Sequence, residues 1–221
     1  MNSLQHDFIR FAIRANVLGF GQFRTKAGRT SPYFFNSGLF NDGLLLGTLA
    51  DFYARTLISS GTPFDMLYGP AYKGIPLVSA VAVSLENRGN NTPFAFNRKT
   101  EKEHGEGGSL VGAPLQGRVI IVDDVISAGT SVNESVKIIR QAGAEPAGVL
   151  IALDRMERPG KDGALSELST VQEVQLTHGI PVMPIATLNH LIDCLSDQSG
   201  PEDFSRHIDA INAYRVRYGS R

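Results

Sequence analysis

A chain of 221 residues, 42% of them hydrophobic, has material for one large domain with a real core, or for one domain with a small annex. The formal net charge of −1 excludes a global field that recruits nucleic acid or an acidic membrane, so any anion site must be local. The one cysteine, Cys194, excludes an intramolecular disulfide, and no apolar run approaches the ~20 residues that span a bilayer. The start MNSLQHDFIRFAIR lacks the uninterrupted apolar stretch of a signal peptide, so the expectation is a soluble cytoplasmic protein.

In chain order, Leu4, Phe8, Phe11, Ala12 and Ala15 recur at helical spacing and predict an amphipathic helix. FGQFRTKAGRTSPYFFNSG follows, with two strand-like pieces around the turn Lys26-Ala27-Gly28. Asp42 reads as the N-cap of a helix from about Gly43 to Ser59. The rhythm changes near Gly61-Thr62-Pro63, which divides an N-terminal segment, 1–60, from the remainder, 61–221.

From there strands and helices alternate. DMLYGP, PFAFNR, GRVIIVDD, EPAGVLIALDR and IPVMPIATL read as strands. GIPLVSAVAVSLENRG, TSVNESVKIIRQAG and ALSELSTVQEVQLTHG read as helices, the second closed by Gly143. Cys194 in HLIDCL reads as a helix core residue, and the tail from Pro201 opens as a helix N-terminus should. The βαβ rhythm predicts an α/β fold with a mostly parallel twisted sheet covered on both faces. One stretch does not fit. RKTEKEHGEGGSLVGAPLQ is charged, glycine-rich and without periodicity, and a loop of that length inside a compact domain is usually functional or disordered.

The chemistry concentrates in VIIVDDVISAGTSV, residues 119–132. Ligands of open α/β sheets bind beyond the carboxyl ends of the strands, where Asp123 and Asp124 fall. In Ser127-Ala128-Gly129-Thr130-Ser131 a helix start offers unpaired N–H groups and a positive dipole end, Gly129 allows close backbone approach, and hydroxyls add donors. That combination suits a phosphate monoester. Paired carboxylates accept hydrogen bonds from vicinal sugar hydroxyls, so the stretch describes a ribose 5-phosphate cradle. A plain strand-turn-helix with capping acids is the simpler alternative. There is neither GxxxxGK[ST] nor GxGxxG, which excludes a P-loop and a dinucleotide fingerprint.

RVIIVDDVISAGTSV resembles the PRPP-binding signature of type I phosphoribosyltransferases. Most proteins with that signature are transferases, and a minority are regulators on the same fold. TKAGRTSPYFFNSG, GPAYKGIPL, RKTEKEHGEGG and ALDR each resemble a segment of the orotate phosphoribosyltransferase family, in the same order and at similar spacing. The resemblance covers nearly the whole chain. It implies a Rossmann-like core with a small N-terminal hood, and the joining of orotate to PRPP to give orotidine 5′-monophosphate and diphosphate.

Adjacent strand residues face opposite ways, so one ring of Phe34-Phe35 can enter the core while the other meets a flat ligand. The resemblance places orotate at Phe34, Phe35, Ser127 and Arg155, and the PRPP diphosphate near Lys26, which alone reads as a solvated turn residue. Arg155 reads either as a surface arginine paired with Asp154 or Glu157, or as a two-pronged clamp for a carboxylate. The resemblance favours the clamp, since orotate carries a carboxylate. By the same resemblance Tyr72 and Lys73 touch PRPP, with a non-proline cis peptide at Ala71-Tyr72. Val125, Ile126, Ser127, Ala128, Gly129, Thr130 and Ser131 join Asp123 and Asp124 around its ribose phosphate.

The resemblance further implies that the loop of about 98–112 is a lid that reaches across a homodimer. There Lys102 and His104 act on the neighbour's substrate, while Arg98 and Lys99 contact diphosphate. Lys99, Lys102, His104, Asp123 and Asp124 are then the catalytic set. Mg²⁺ is expected, gripped mainly by PRPP oxygens and water rather than by direct protein ligands. Orotate and PRPP are the expected partners, with no nucleic acid and no membrane. A purine or other base phosphoribosyltransferase would keep the cradle but need neither the Phe-Phe pair nor Arg155.

Overall fold

The computed structural model describes residues 3–25, 27–102, 108–161, 164–196 and 205–220, with backbone alone at 100–102, 108–109, 161 and 205. In chain order the elements are α1 (Leu4–Arg14), β1 (Leu18–Arg24), β2 (Thr30–Phe35), α2 (Gly43–Ser60), β3 (Met66–Gly69), α3 (Gly74–Glu86), β4 (Phe94–Lys102) and β5 (Gly108–Gly112). They continue with β6 (Arg118–Val122), α4 (Thr130–Gln141), β7 (Glu145–Asp154), β8 (Gly160–Lys161), β9 (Ala164–Leu165), α5 (Thr170–His178), β10 (Val182–Thr187), α6 (Leu188–Ser196) and α7 (Ile208–Tyr218).

Six strands form the central sheet in the order β10-β7-β6-β3-β4-β5, and every pairing is parallel except β5 on β4. The side-chain period of two sorts the buried strand residues between two clusters. Leu67, Ile120, Val122, Leu150 and Ala152 share one core with residues of α1, α2, α3, α6 and α7. Met66, Tyr68, Val119, Ile121, Val149 and Ile151 share the other with α4 and α5. The result is the expected parallel sheet covered on both faces. The β1–β2 hairpin forms its own antiparallel sheet, a small N-terminal hood.

The topology fixes where a ligand sits. After β3 the chain crosses by α3 to β4 on one side; after β6 it crosses by α4 to β7 and by α5 to β10 on the other. Crossovers of one hand that run in opposite directions put their helices on opposite faces, which is how α3 and α4 are distributed here. The strand order therefore reverses between β3 and β6. A crevice opens there at the carboxyl ends, beside Gly69 and Val122.

Three single-residue expectations hold. Asp42 caps α2, its Oδ1 accepting from the Leu45 N–H at 2.8 Å, and Gly143 closes α4 with φ of 80°. Cys194 is buried in α6. Two expectations need correction. In the stretch read as an aperiodic loop the described residues are largely strand: β4 runs on to Lys102 and pairs antiparallel with β5. The helix expected from Ala164 begins instead at Thr170, because Gly160–Lys161 and Ala164–Leu165 pair as a short hairpin. The stop signal for that hairpin is a capping box. Ser169 Oγ accepts from the Gln172 N–H at 3.1 Å, and Gln172 Oε1 accepts from the Ser169 N–H at 2.7 Å.

Replacing Ser169 by alanine is expected to cost about 1 kcal/mol. In a chain of this size that lowers the melting temperature by roughly 2–4 °C, measurable by calorimetry. Among the described residues no helix is long and apolar enough to cross a membrane. Pro201, Glu202 and Asp203, the expected start of the tail helix, lie outside the described residues; the tail helix itself is α7.

Candidate active site

Three loops meet at the crevice. The first follows β6. Asp123 and Asp124 are buried there, 8% and 7% exposed. Asp123 Oδ1 accepts from the Asp124 N–H at 2.9 Å and Oδ2 from Ser131 Oγ at 2.9 Å. Asp124 Oδ1 accepts from the Val125 N–H at 2.8 Å. Burial, with the Asp124 charge beside it, pushes the Asp123 carboxyl up to about 6. Gly129, at φ of 73°, turns the chain into α4, whose first turn has no side-chain cap. Its N–H groups thus face the crevice without the competition that Ser3, Asp42 and Ser169 provide at α1, α2 and α5. Ser127, Ala128 and Thr130 are exposed, whereas Val125 and Ile126 pack against the two cores, leaving mainly their backbone for a ligand. The α5 helix backs this turn, with Thr170 Oγ1 donating to the Ser127 carbonyl at 3.3 Å.

The second loop joins β3 to α3. Gly69 and Gly74 cross backbone to backbone: a Cβ on Gly69 would lie 2.2 Å from the Gly74 carbonyl oxygen. The Ala71–Tyr72 peptide is cis, as expected. Asn97 Oδ1 of β4 accepts from the Ala71 N–H at 2.8 Å and anchors the loop to the neighbouring strand. Lys73 Nζ reaches across the crevice to Asp124 Oδ2 at 2.7 Å. Tyr72 is exposed, and the Lys99 ammonium lies 5.1 Å from its ring centroid, which brings two residues expected to contact PRPP together from the β3–α3 loop and from β4. Arg98 is half-buried in β4 beside it.

The third component is the hood. Phe35 enters the core at 6% exposure and Phe34 faces outward at 43%, the alternation expected of β2. Phe34 stacks on Phe23 of β1, with centroids 5.5 Å apart. Arg155 lies under the hood. Its Nε and Nη2 donate to Glu157 Oε1 at 2.8 and 2.6 Å, Nη2 also reaches Ser31 Oγ at 3.2 Å, and the guanidinium sits 4.8 Å from the Tyr33 ring centroid. The pairing with Glu157, one of the two sequence alternatives, is thus present, and the Ser31 and Tyr33 contacts tie Arg155 to the strand that carries Phe34.

A sequence model described as phosphoribosyl transferase domain matches residues 41–178. An orotate phosphoribosyltransferase of Herminiimonas arsenicoxydans is 63% identical over 219 residues, 99% of both chains. The chain belongs to the orotate phosphoribosyltransferase family. Another orotate phosphoribosyltransferase, from Nitrosospira multiformis, is 61% identical over 100% of this chain and 93% of its own. The crystal structure of orotate phosphoribosyltransferase from Francisella tularensis superposes with a TM-score of 0.83 at 39% identity, covering 97% of this chain and 100% of that one. An adenine phosphoribosyl transferase of Trypanosoma brucei, at 17% identity and a TM-score of 0.54 over 91% and 85%, shares the fold alone.

Three residues that organise the crevice escaped the sequence reading, two of them neighbours of the acid pair. Ser37, in a 3₁₀ turn after β2, donates to Asp124 Oδ2 at 2.5 Å. Tyr53 of α2 donates to the Asp123 carbonyl at 2.8 Å; burial, with Asp124 and Asp123 near, pushes its phenol well above the usual range and keeps it protonated. Asn97 is the loop anchor described above. Only FFNSG carried a visible hint, a hydroxyl directly after the aromatic pair. Lys26 and His104 lie outside the described residues, as does the side chain of Lys102.

Proposed function

We propose that the chain transfers the ribose 5-phosphate of PRPP to orotate with Mg²⁺, as a cytoplasmic homodimer whose catalytic loop is shared between subunits. The base sits under the hood segment, 1–60, and PRPP in the core, 61–221. The observation that carries this reading is the Lys73–Asp124 pair, 2.7 Å apart across the switch-point crevice: it puts a cation for diphosphate beside an acceptor for ribose hydroxyls.

In this reading the phosphate of PRPP rests on the first turn of α4, between Ser127 and Ser131, and the ribose diol donates to Asp123 and Asp124. The base lies against Phe34, its carboxylate toward Arg155. Phe35 and Ser127 contribute backbone and hydroxyl at the ring edge. The bond from the anomeric carbon to diphosphate breaks, and its electron pair leaves with diphosphate. The ring nitrogen of orotate, already ionised, supplies the pair for the new bond with inversion, so no strong general base is required. Lys26, Tyr72, Lys73, Arg98 and Lys99 meet the leaving group, joined by Lys102 and His104 from the partner. Positive charge growing on the sugar is favoured by the two carboxylates, so catalysis comes chiefly from position and electrostatics.

Magnesium fits this donor set as a hard ion held mostly by substrate oxygens and water. Among the described residues no three His, Cys, Asp or Glu cluster as a cage, and the acid oxygens that face the crevice are hard donors. When bound, the ion neutralises diphosphate charge.

The direct test is the loss of orotate's ultraviolet absorbance, dependent on both PRPP and Mg²⁺. Turnover of uracil, hypoxanthine or adenine with none of orotate would overturn the base assignment. PRPP binding without diphosphate release would make the chain a regulator. For the shared loop, Lys102→Ala is expected to lower turnover about tenfold or more with little change in orotate affinity. Mixing Lys102→Ala with Asp124→Asn subunits is expected to restore activity through one intact composite site; no recovery after confirmed subunit exchange would rule out action in trans.

A further inference from the structure

Asp124 Oδ2 receives two donors. One is Lys73 Nζ at 2.7 Å, and the other is Ser37 Oγ at 2.5 Å. Lys73 Nζ also donates to Ser37 Oγ at 3.0 Å, so the three groups close a triangle. The members come from three different parts of the molecule: the turn after the hood strand, the loop after β3, and the end of β6. Ser37 lies three residues beyond Phe34 on the same chain segment. That segment is pinned at its start, where the Asn36 N–H donates to the Val17 carbonyl at 2.7 Å and Asn36 Oδ1 accepts from the Gly38 N–H at 3.2 Å. The hydroxyl therefore stands on a fixed base, and it bonds the turn after the hood strand to the Asp124 carboxylate.

We infer that Ser37 is a positioning residue of the transfer reaction, holding the Asp124 carboxylate in the orientation that receives the ribose diol and coupling the seat of the base to it. The inference rests on the function proposed above. In the structure Ser37 and Lys73 share one oxygen of Asp124. When PRPP enters, its diphosphate draws the ammonium away, and the Ser37 hydroxyl remains as the side-chain donor that keeps the half-vacated carboxylate from rotating. Hydrogen bonds to a buried carboxylate are stronger than neutral ones, and their loss leaves an acceptor short of a partner. Displacement of β2 by a bound base passes to Asp124 through four residues of pinned backbone, which makes orotate and PRPP energetically linked rather than independent.

The test is a double-mutant cycle on the full-length enzyme. Ser37→Ala is expected to lower kcat/KM for PRPP about tenfold while leaving KM for orotate in the absence of saturating PRPP less changed, and Ser37→Thr is expected to restore most of the loss. The deciding measurement is the same Ser37→Ala substitution made in an Asp124→Asn background. If Ser37 acts through that carboxylate, its effect there shrinks to less than about twofold. Equal effects in both backgrounds, or an unchanged kcat/KM in the single variant, would overturn the inference. A thermal midpoint that falls in Ser37→Ala with activity lost equally in both backgrounds would assign Ser37 a structural role instead. Failure of the functional reading looks different: the parent enzyme itself would release no diphosphate from PRPP with orotate.

Discussion

An Asp123→Asn variant is expected to melt above the parent while losing most of its transfer activity. The Asp123 carboxyl, buried and beside Asp124, is pushed up to about 6 from an ordinary 3.8. The folded state therefore holds a proton that the unfolded state has released over the window between those values. Stability from this group is complete below pH ~4 and is lost as pH rises through ~6. At pH 8 the ionised, buried acid destabilises the fold by on the order of 1–3 kcal/mol. Asparagine removes that penalty. Its oxygen still accepts from the Asp124 N–H, and the Ser131 hydroxyl, now a donor to Oδ2, rotates to accept from the amide. Calorimetry at pH 8 is expected to show a gain of roughly 2–8 °C that fades toward pH 4.5. Activity with PRPP is expected to fall about 100-fold, because the amide does not favour positive charge on the sugar. A gain that is the same at both pH values would refute burial of charge as its cause.

Gly69→Ala is expected to be worse for both properties. The added methyl would stand 2.2 Å from the Gly74 carbonyl oxygen and 2.7 Å from Val78 Cγ1, distances no side chain tolerates. Relief by movement is blocked on both sides. Gly69 is the last paired residue of β3, and the loop beyond it is tied by the Ala71 N–H to Asn97 and by the Gly74 N–H to the Pro70 carbonyl at 3.0 Å. The expected cost is about 3 kcal/mol or more, read from urea denaturation. Whatever folds must hold Lys73 away from Asp124, so activity is expected to drop more than about 100-fold. A variant of parental stability and rate would show that the two backbones do not cross so closely.

The fold was legible where local pattern and tertiary role agree. The strands of the sheet are short apolar runs because both faces are covered, and that signal survives without any knowledge of the neighbours. Asp42, Gly143 and the Phe34/Phe35 alternation were readable for the same reason. The third helix of the alternating region was misplaced because Ala164, Leu165 and Leu168 have helical preference, which the Gly160–Leu165 hairpin overrides; Ser169 and Gln172, a capping box three apart, were the better signal. β5 was hidden because its glycines and serine have poor strand preference and its stability comes from pairing with β4. At the site, the acids and the hydroxyl turn were contiguous in sequence and could be read together. Ser37 and Tyr53 could not: they meet the acid pair from 87 and 70 residues away, and a lone serine or tyrosine announces nothing about such a contact.

The reversal of strand order between β3 and β6 has a consequence for how this architecture diversifies. Lys73 and Asp124 follow the ends of adjacent parallel strands, so their separation is gauged by a hydrogen-bond ladder that holds those strands ~4.8 Å apart. That gauge is common to any chain with this sheet, whatever base it accepts. In the function proposed above, choice of base is left to what overhangs the crevice, the β1–β2 hairpin, which forms a sheet of its own, and the arginine beneath it. New specificities are therefore reached by rebuilding the canopy while the measuring frame stays still.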